Sequence, residues 1–111
     1  MGHFKSMEML NSIKQLLGLG PKTDYRELVK NGAQIIDVRT PGEFKGGHIK
    51  GAVNIPLQNI ASQLSRIRND KPVITCCASG MRSASAKSIL KSNGYSDVYN
   101  GGGWMSLDSK L

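Results

Sequence analysis

Short apolar segments alternate with polar and turn residues along the chain, and their spacing predicts its secondary structure. Three segments rich in β-branched residues are bounded by turn residues, a pattern typical of strands buried in a sheet. They cover residues 33–38, 52–55 and 73–76, and residues 98–99 form a fourth, shorter segment. Because helical patterns separate these strands, the chain is predicted to be an α/β domain with a small, mainly parallel β-sheet and helices on both faces.

Capping residues mark where the predicted helices begin. Either Thr23 or Asp24 is placed to cap a helix that runs to Lys30. Thr40 is placed to cap another, with Glu43 three residues later as the second half of a capping box. The remaining helices are predicted over residues 7–17, from residue 57 to about residues 69–70, over 82–93 and from about Trp104 onward. Residues 100–103 are predicted to form a flexible turn.

The chain of 111 residues is long enough for one well-packed core and too short for two. We therefore predict an N-terminal extension, residues 1–20, that carries the first short helix, and one domain over residues 21–111. Residues 1–6 show no periodicity, and we assign them no role. No apolar stretch approaches the roughly 20 residues that cross a bilayer, and no signal-peptide pattern follows the first residues, so we expect a cytoplasmic protein without a membrane partner.

The composition limits the partners that the protein is expected to bind. The net charge of +7 favours anions, but the lysines and arginines are scattered rather than gathered in one helix or arm, so no nucleic-acid site is predicted. The two cysteines are adjacent, so they cannot staple distant segments, and they are too few for a structural zinc site. We expect no metal and no organic cofactor, and a monomer or a weak dimer in a reducing compartment.

The segment after the third strand has the features of an anion-binding loop that holds a reactive cysteine. Cys77 ends the strand, small residues follow, and a helix is predicted to begin near Arg82. Gly80 lets the backbone curl so that successive N–H groups point inward, and the helix N terminus adds unpaired N–H groups. The guanidinium of Arg82 adds a permanent positive charge that can bind an oxyanion. Such surroundings lower the pKa of a thiol, so Cys77 is predicted to be the nucleophile.

Two sequence blocks resemble the rhodanese family of sulfurtransferases. The first block has Asp37-Val38-Arg39 followed by Gly47-His48-Ile49-Lys50-Gly51-Ala52. The second runs Cys77-Ala78-Ser79-Gly80-Met81-Arg82-Ser83 and is followed by Gly101-Gly102-Gly103-Trp104. The resemblance covers about residues 23–108 and implies a small rhodanese fold with a persulfide intermediate on Cys77. It also implies that the loop residues bind the sulfur donor, namely Ala78, Ser79, Gly80, Met81, Arg82 and Ser83.

The adjacent cysteines allow two ways of counting the loop. Counted from Cys77 the spacing C-x4-R-S is that of rhodaneses, whereas counted from Cys76 the spacing C-x5-R-S is that of cysteine phosphatases and arsenate reductases. We favour Cys77, because Gly80 then lies three residues after the nucleophile and Cys76 continues the buried strand. Thr75 also stands where many cysteine phosphatases have His. In a variant of this hypothesis, Cys76 resolves the persulfide or forms a strained vicinal disulfide with Cys77.

Polar residues in the first block have both catalytic and structural interpretations. Asp37 is predicted to accept hydrogen bonds from backbone donors near the loop, and Arg39 is predicted to pair with Glu43 four residues later. His48 is predicted to be a structural turn residue, because sulfur transfer needs no proton abstraction once the thiolate exists. These interpretations assign no catalytic step to the first block.

Side chains in and after the loop have further predicted roles. Ser79 and Ser83 either donate hydrogen bonds to a bound anion or cap the following helix. Trp104 is predicted to cover the core near the loop mouth, and Met81 to shape the entrance for the acceptor. The sequence does not decide between the two roles of the serines.

The sequence thus predicts a thiosulfate sulfurtransferase of the rhodanese type. The donor is expected to be a small sulfane-sulfur anion such as thiosulfate, or a persulfide, including a protein persulfide. The acceptor is expected to be cyanide, a thiol or a protein. Two alternatives stay open: a cysteine phosphatase or arsenate reductase that uses Cys76, and a non-catalytic binding module built on the rhodanese fold.

Overall fold

The computed structural model describes residues 22–111, in which strands alternate with helices. The strands are β1 (Gln34–Asp37), β2 (Val53–Asn54), β3 (Val73–Cys77) and β4 (Val98–Gly103). The α-helices are α1 (Tyr25–Lys30), α2 (Pro41–Lys45), α3 (Met81–Ser92) and α4 (Trp104–Asp108). The helix predicted over residues 7–17 lies outside the described residues. Within residues 22–111, no helix combines the length and the hydropathy that a membrane span needs.

The strands form one parallel sheet in the order β2-β1-β3-β4. Its central pair, β1 and β3, is in register from Gln34 opposite Val73 to Asp37 opposite Cys76. The predicted α/β class with a parallel sheet is confirmed. Because the carboxyl ends of parallel strands meet at one edge of a sheet, the segments that follow β1, β3 and β4 are brought together there.

The alternation of side chains along the central strands divides the core between the two faces of the sheet. Ile36 lies in a cluster with Leu90 of α3, and the turns after β2 cover the same face. Ile35 lies in a second cluster with Leu107 of α4, which α1 also covers. Helices therefore pack on both faces, as predicted, and neighbouring residues of one strand lie in different parts of the core.

Two of the predicted helix caps are present. Asp24 accepts a hydrogen bond of 3.1 Å from the N–H of Glu27 at the start of α1. At the start of α2, Thr40 Oγ1 accepts from the N–H of Glu43 at 3.2 Å, and the Glu43 carboxylate accepts from the N–H of Thr40 at 3.1 Å. The capping box fixes the Glu43 side chain at the sheet edge where β1 ends.

The prediction of one helix from residue 57 to about residues 69–70 was wrong. Two separate 3-10 turns, Leu57–Asn59 and Leu64–Arg66, occupy this segment. Ile60 and Ile67, whose spacing suggested a helix, are buried in the core without one. The Ser62 hydroxyl donates to the carbonyl of Asn59, and such local hydrogen bonds compete with a continuous helix.

The flexible turn predicted at residues 100–103 was also wrong, because β4 continues to Gly103. The pairing of β3 with β4 shifts register between Thr75 and Cys77, which lets β4 bend alongside the end of β3. A Cβ atom on Gly101 would lie 2.8 Å from the carbonyl oxygen of Thr75. Glycine at this position therefore allows a close approach of two backbones rather than flexibility.

Candidate active site

The candidate site lies at the carboxyl edge of the sheet. Cys77 ends β3 and begins the loop, the segment after β1 carries Glu43, and the middle of β4 carries Asn100. The loop rests on the glycine residues of β4, since a Cβ on Gly103 would lie 2.9 Å from the carbonyl oxygen of Ala78. Three chain segments that are distant in sequence thus surround one cysteine.

Backbone N–H groups point at the sulfur of Cys77. The N–H of Gly80 donates to Sγ at 3.0 Å, and the N–H of Ser83 donates to it at 3.4 Å. Gly80 has φ of 110°, which a residue with a side chain rarely adopts, and this turn aims its N–H inward. Helix α3 begins at Met81, so its positive end faces the sulfur as well.

These contacts favour the thiolate of Cys77. Burial raises the pKa of the thiol, but the hydrogen bonds that Cys77 makes with the Ser83 side chain and with the backbone of Ser83, Gly80 and Ser79 outweigh burial. The net effect is a pKa lowered from the ordinary value of a cysteine. The sulfur is almost fully enclosed, since Cys77 is only 1% exposed. The hydrogen-bonded loop therefore surrounds a sulfur atom that it stabilises as an anion.

Cys76 has a different environment, although it is the adjacent residue. It lies in the core cluster on the other face of the sheet, with Ile74 and Leu107, and it is fully buried. Burial, with a further contribution from the charge of Asp37, raises its pKa to about 12. Because neighbouring residues of a strand point to opposite faces, a resolving role or a disulfide with Cys77 would require β3 to leave the sheet.

A network of side chains beneath the loop includes Asn100, which the sequence analysis missed. The Ser83 hydroxyl lies 3.5 Å from Cys77 Sγ and donates to Oδ1 of Asn100 at 2.6 Å. The N–H of Gly102 donates to the same Oδ1 at 3.0 Å, which fixes the orientation of the amide. Thr75 Oγ1 donates to the carbonyl of Ser83 at 2.8 Å. The hydroxyl nearest the sulfur is thus held by β4.

Ser79 and Ser83 were each predicted either to bind an anion or to cap the following helix, and the structure excludes the capping role. Gly80 is the N-cap of α3 and no side chain caps the helix, so neither Ser79 nor Ser83 acts as a cap. Ser83 is buried and lies beside the sulfur. Ser79 is exposed at the rim of the loop together with Ala78 and Met81, whose side chain is 81% exposed. Their contact with a donor stays a prediction.

Arg82 does not point freely toward an incoming anion. Its Nη1 donates to Oε1 of Glu43 at 2.7 Å, and its Nη2 donates to Oε2 at 3.0 Å. Hydrogen bonds from Arg82 and then from the backbone of Thr40 lower the pKa of Glu43 to about 2, so the carboxylate stays ionised at neutral pH. The sequence identified Glu43 as a capping residue but gave no signal that it also pairs with Arg82.

The predicted pairing of Arg39 with the Glu43 carboxylate was wrong. Arg39 Nη2 donates to Oδ2 of Asp37 at 2.7 Å, and Arg39 Nε donates to Oδ1 of Asp37 at 3.0 Å. Arg39 reaches only the backbone carbonyl of Glu43, at 3.3 Å. It precedes the N-cap Thr40, so the i, i+4 spacing of a helix does not apply to it. Asp37 also accepts from the N–H of Arg39 at 3.0 Å, which agrees with its predicted role as an acceptor for backbone donors.

Aromatic residues complete the surroundings of this ion pair. The guanidinium of Arg39 stacks over the Trp104 ring at 4.8 Å from its centroid, and a Cβ atom on Gly47 would lie 3.2 Å from the same ring. His48 Nδ1 donates to the carbonyl of Phe44 at 2.7 Å, and the two rings stack at 3.7 Å. These contacts agree with structural roles for His48 and Trp104. Among residues 22–111, no three His, Cys, Asp or Glu side chains are grouped closely enough to hold a metal ion.

Comparison with known proteins identifies relatives of this chain. The family model of the Rhodanese-like domain matches residues 21–109. The chain is 37% identical over 82 residues to the thiosulfate sulfurtransferase GlpE of Pseudomonas aeruginosa, and the match covers 74% of each protein. It is 46% identical over 80 residues to the uncharacterized protein YqhL of Bacillus subtilis, covering 71% of this chain and 64% of YqhL. The chain therefore spans slightly less than two thirds of that relative.

A solved structure of a rhodanese is also similar to this chain. A rhodanese with anions from E. coli superposes with a TM-score of 0.64 at 34% identity, covering 68% of this chain and 91% of that chain.

Proposed function

Because the chain belongs to the rhodanese-like family, whose members include sulfurtransferases of the same fold, we propose that it is a sulfurtransferase that carries sulfur as a persulfide on Cys77. The donor is thiosulfate or a persulfide, and the acceptor is cyanide, a thiol or a protein. The observation that carries the proposal is the pair of N–H groups, from Gly80 and Ser83, that donate to Cys77 Sγ.

The reaction follows from the chemistry of that sulfur. The Cys77 thiolate attacks the outer sulfur of thiosulfate, the S–S bond of the donor breaks, and sulfite leaves with the bonding electrons. Cys77 then carries a Cys–S–S⁻ group, so one negative charge is on the protein before and after the step. The loop N–H groups that stabilise the thiolate can also stabilise the terminal sulfur of the persulfide. An acceptor such as cyanide takes that sulfur and regenerates the thiolate.

Two other functions have less support. A phosphatase or arsenate reductase using Cys76 would need a thiolate that faces the loop, whereas this thiol lies in the core cluster on the other face of the sheet and burial raises its pKa to about 12. A binding module without catalysis would need neither a thiol with a lowered pKa nor N–H groups aimed at it. The sulfurtransferase is therefore the function that the site supports best.

The proposal is tested by treating the protein with thiosulfate and locating the added sulfur by mass spectrometry. We expect the intact mass to increase by one sulfur atom, and peptide mapping to place that atom on Cys77, because only this thiol is stabilised as an anion. Treatment with sulfate is the control and should add nothing. Sulfur on Cys76, or no addition at all, would contradict the proposal.

A further inference from the structure

The charge of Arg82 is balanced by Glu43. The guanidinium and the carboxylate meet in two parallel hydrogen bonds, and their side chains are 35% and 36% exposed. The two residues are 39 positions apart in sequence and come from different elements, the first turn of α3 and helix α2. The positive charge at the end of the loop is therefore not available alone to an incoming anion.

Helix α2 holds the Glu43 carboxylate in place. Its Oε1 accepts from both the N–H and the hydroxyl of Thr40, each at 3.1 Å. A glutamine can fill the same capping position, because its amide oxygen accepts the N–H of the capping residue equally well. The helix thus requires an acceptor at residue 43, but it does not require a negative charge.

The charges around the loop determine how strongly a donor of given charge is attracted or repelled. Asp37 and Arg39 form a buried pair that cancels. The Cys77 thiolate, Arg82 and Glu43 together carry one net negative charge, and without the charge of Glu43 they would carry none. The energy of repulsion from this net charge is about twice as large for a donor with two negative charges as for a donor with one. The logarithm of the rate constant therefore falls about twice as far for the doubly charged donor.

We propose that Glu43 is a specificity-determining residue, which lowers the use of dianionic thiosulfate relative to a singly charged persulfide donor by neutralising Arg82. This inference rests on the proposed function. With thiosulfate, the Cys77 thiolate takes the outer sulfur and sulfite leaves. With a persulfide R–S–S⁻, the thiolate takes the terminal sulfur, the donor S–S bond breaks, and the thiolate R–S⁻ leaves. Both steps give the same Cys77 persulfide, and only the charge of the donor differs.

The variant Glu43→Gln tests this inference, because it removes the charge and keeps the helix cap. Sodium thiosulfate and the persulfide of 2-mercaptoethanol serve as donors, and the second-order rate constant of Cys77 loading is measured by rapid quenching and intact mass. We expect the rate constant to rise about tenfold for thiosulfate and about threefold for the persulfide at low salt. The ratio of the two constants therefore rises about threefold. A change in the thiolate fraction of Cys77 affects both donors equally and leaves this ratio unchanged.

The matched control is Asp70→Asn. Asp70 forms a comparable pair with Arg68, with hydrogen bonds of 2.7 and 2.9 Å, but it precedes β3 and so lies at the opposite edge of the sheet. Its removal should leave the ratio of rate constants unchanged. Because the Glu43–Arg82 pair is partly exposed, high salt should reduce the effect of Glu43→Gln.

An unchanged or lower ratio in a folded Glu43→Gln protein would overturn the inference, while loading of the wild-type protein would still uphold the proposed function. If Glu43→Gln does not fold, the variant Arg82→Gln is used instead. It removes a positive charge rather than a negative one, so the ratio of the thiosulfate rate constant to the persulfide rate constant must fall about threefold. Failure of the wild-type protein to take sulfur from either donor would instead overturn the proposed function itself.

Discussion

The variant Cys77→Ser is expected to lose sulfur transfer by about a thousandfold or more, because removing a nucleophile removes the covalent intermediate. Serine has nearly the same size, so the loop and its N–H groups should keep their arrangement. Its hydroxyl is not ionised near neutral pH, and no persulfide can form on oxygen. The rate of thiocyanate formation from thiosulfate and cyanide measures the loss.

The neighbouring residue supplies the control. Cys76→Ala changes a thiol one position earlier in the same strand, but that thiol is buried on the other face of the sheet. We expect this variant to keep activity within about twofold, because a buried cysteine with a raised pKa acts as a small hydrophobic residue. If Cys77→Ser kept a substantial share of the activity and Cys76→Ala abolished it, the assignment of the two cysteines would have to be reversed.

Asp37→Asn is expected to lower the free energy of unfolding by about 3 to 5 kcal/mol, because it leaves the Arg39 guanidinium without its buried counter-charge. Asp37 is fully buried and Arg39 is 4% exposed. The substitution keeps the shape of the side chain and an oxygen for the N–H of Arg39, so it tests the charge. Urea denaturation followed by circular dichroism gives the free energy, and a chain unfolded without urea would agree with the prediction.

An exposed ion pair gives the comparison for this prediction. Arg68 and Asp70 form a salt bridge of 2.7 Å, but about two thirds of each side chain is exposed to solvent. Solvent screens such a pair, so Asp70→Asn should have little measurable effect on stability. Equal effects of the two substitutions would show that burial does not decide the contribution of Asp37.

Much of the fold could be predicted because local patterns determine it. The buried strands produce continuous apolar runs, and the capping box at Thr40 and Glu43 has a short-range sequence signature. The same local reasoning failed for residues 57–67, because an apolar spacing of three and four residues fits 3-10 turns that bury Ile60 and Ile67 as well as it fits a helix. It also failed at Gly101, whose close approach to β3 depends on a strand that is distant in sequence.

The candidate site likewise has features that the sequence predicts and features that it does not. The loop from Cys77 to Ser83 is continuous in sequence, so its features could be recognised together. The contacts that join it to other elements could not, because Glu43 and Asn100 reach the loop only through the sheet. Their local sequence signals point elsewhere: Glu43 caps a helix, and Asn100 begins a glycine-rich segment that resembles a turn.

The central claim is that the loop holds Cys77 as an anion, and the pH dependence of its alkylation tests this claim most directly. The Cys76→Ala variant carries a single thiol, and the rate of its reaction with iodoacetamide rises with pH as that thiol ionises. Because the pKa of Cys77 is lowered, the midpoint of the folded protein should lie below the midpoint of the same chain unfolded in urea. A folded midpoint at or above that of the unfolded chain would contradict the account.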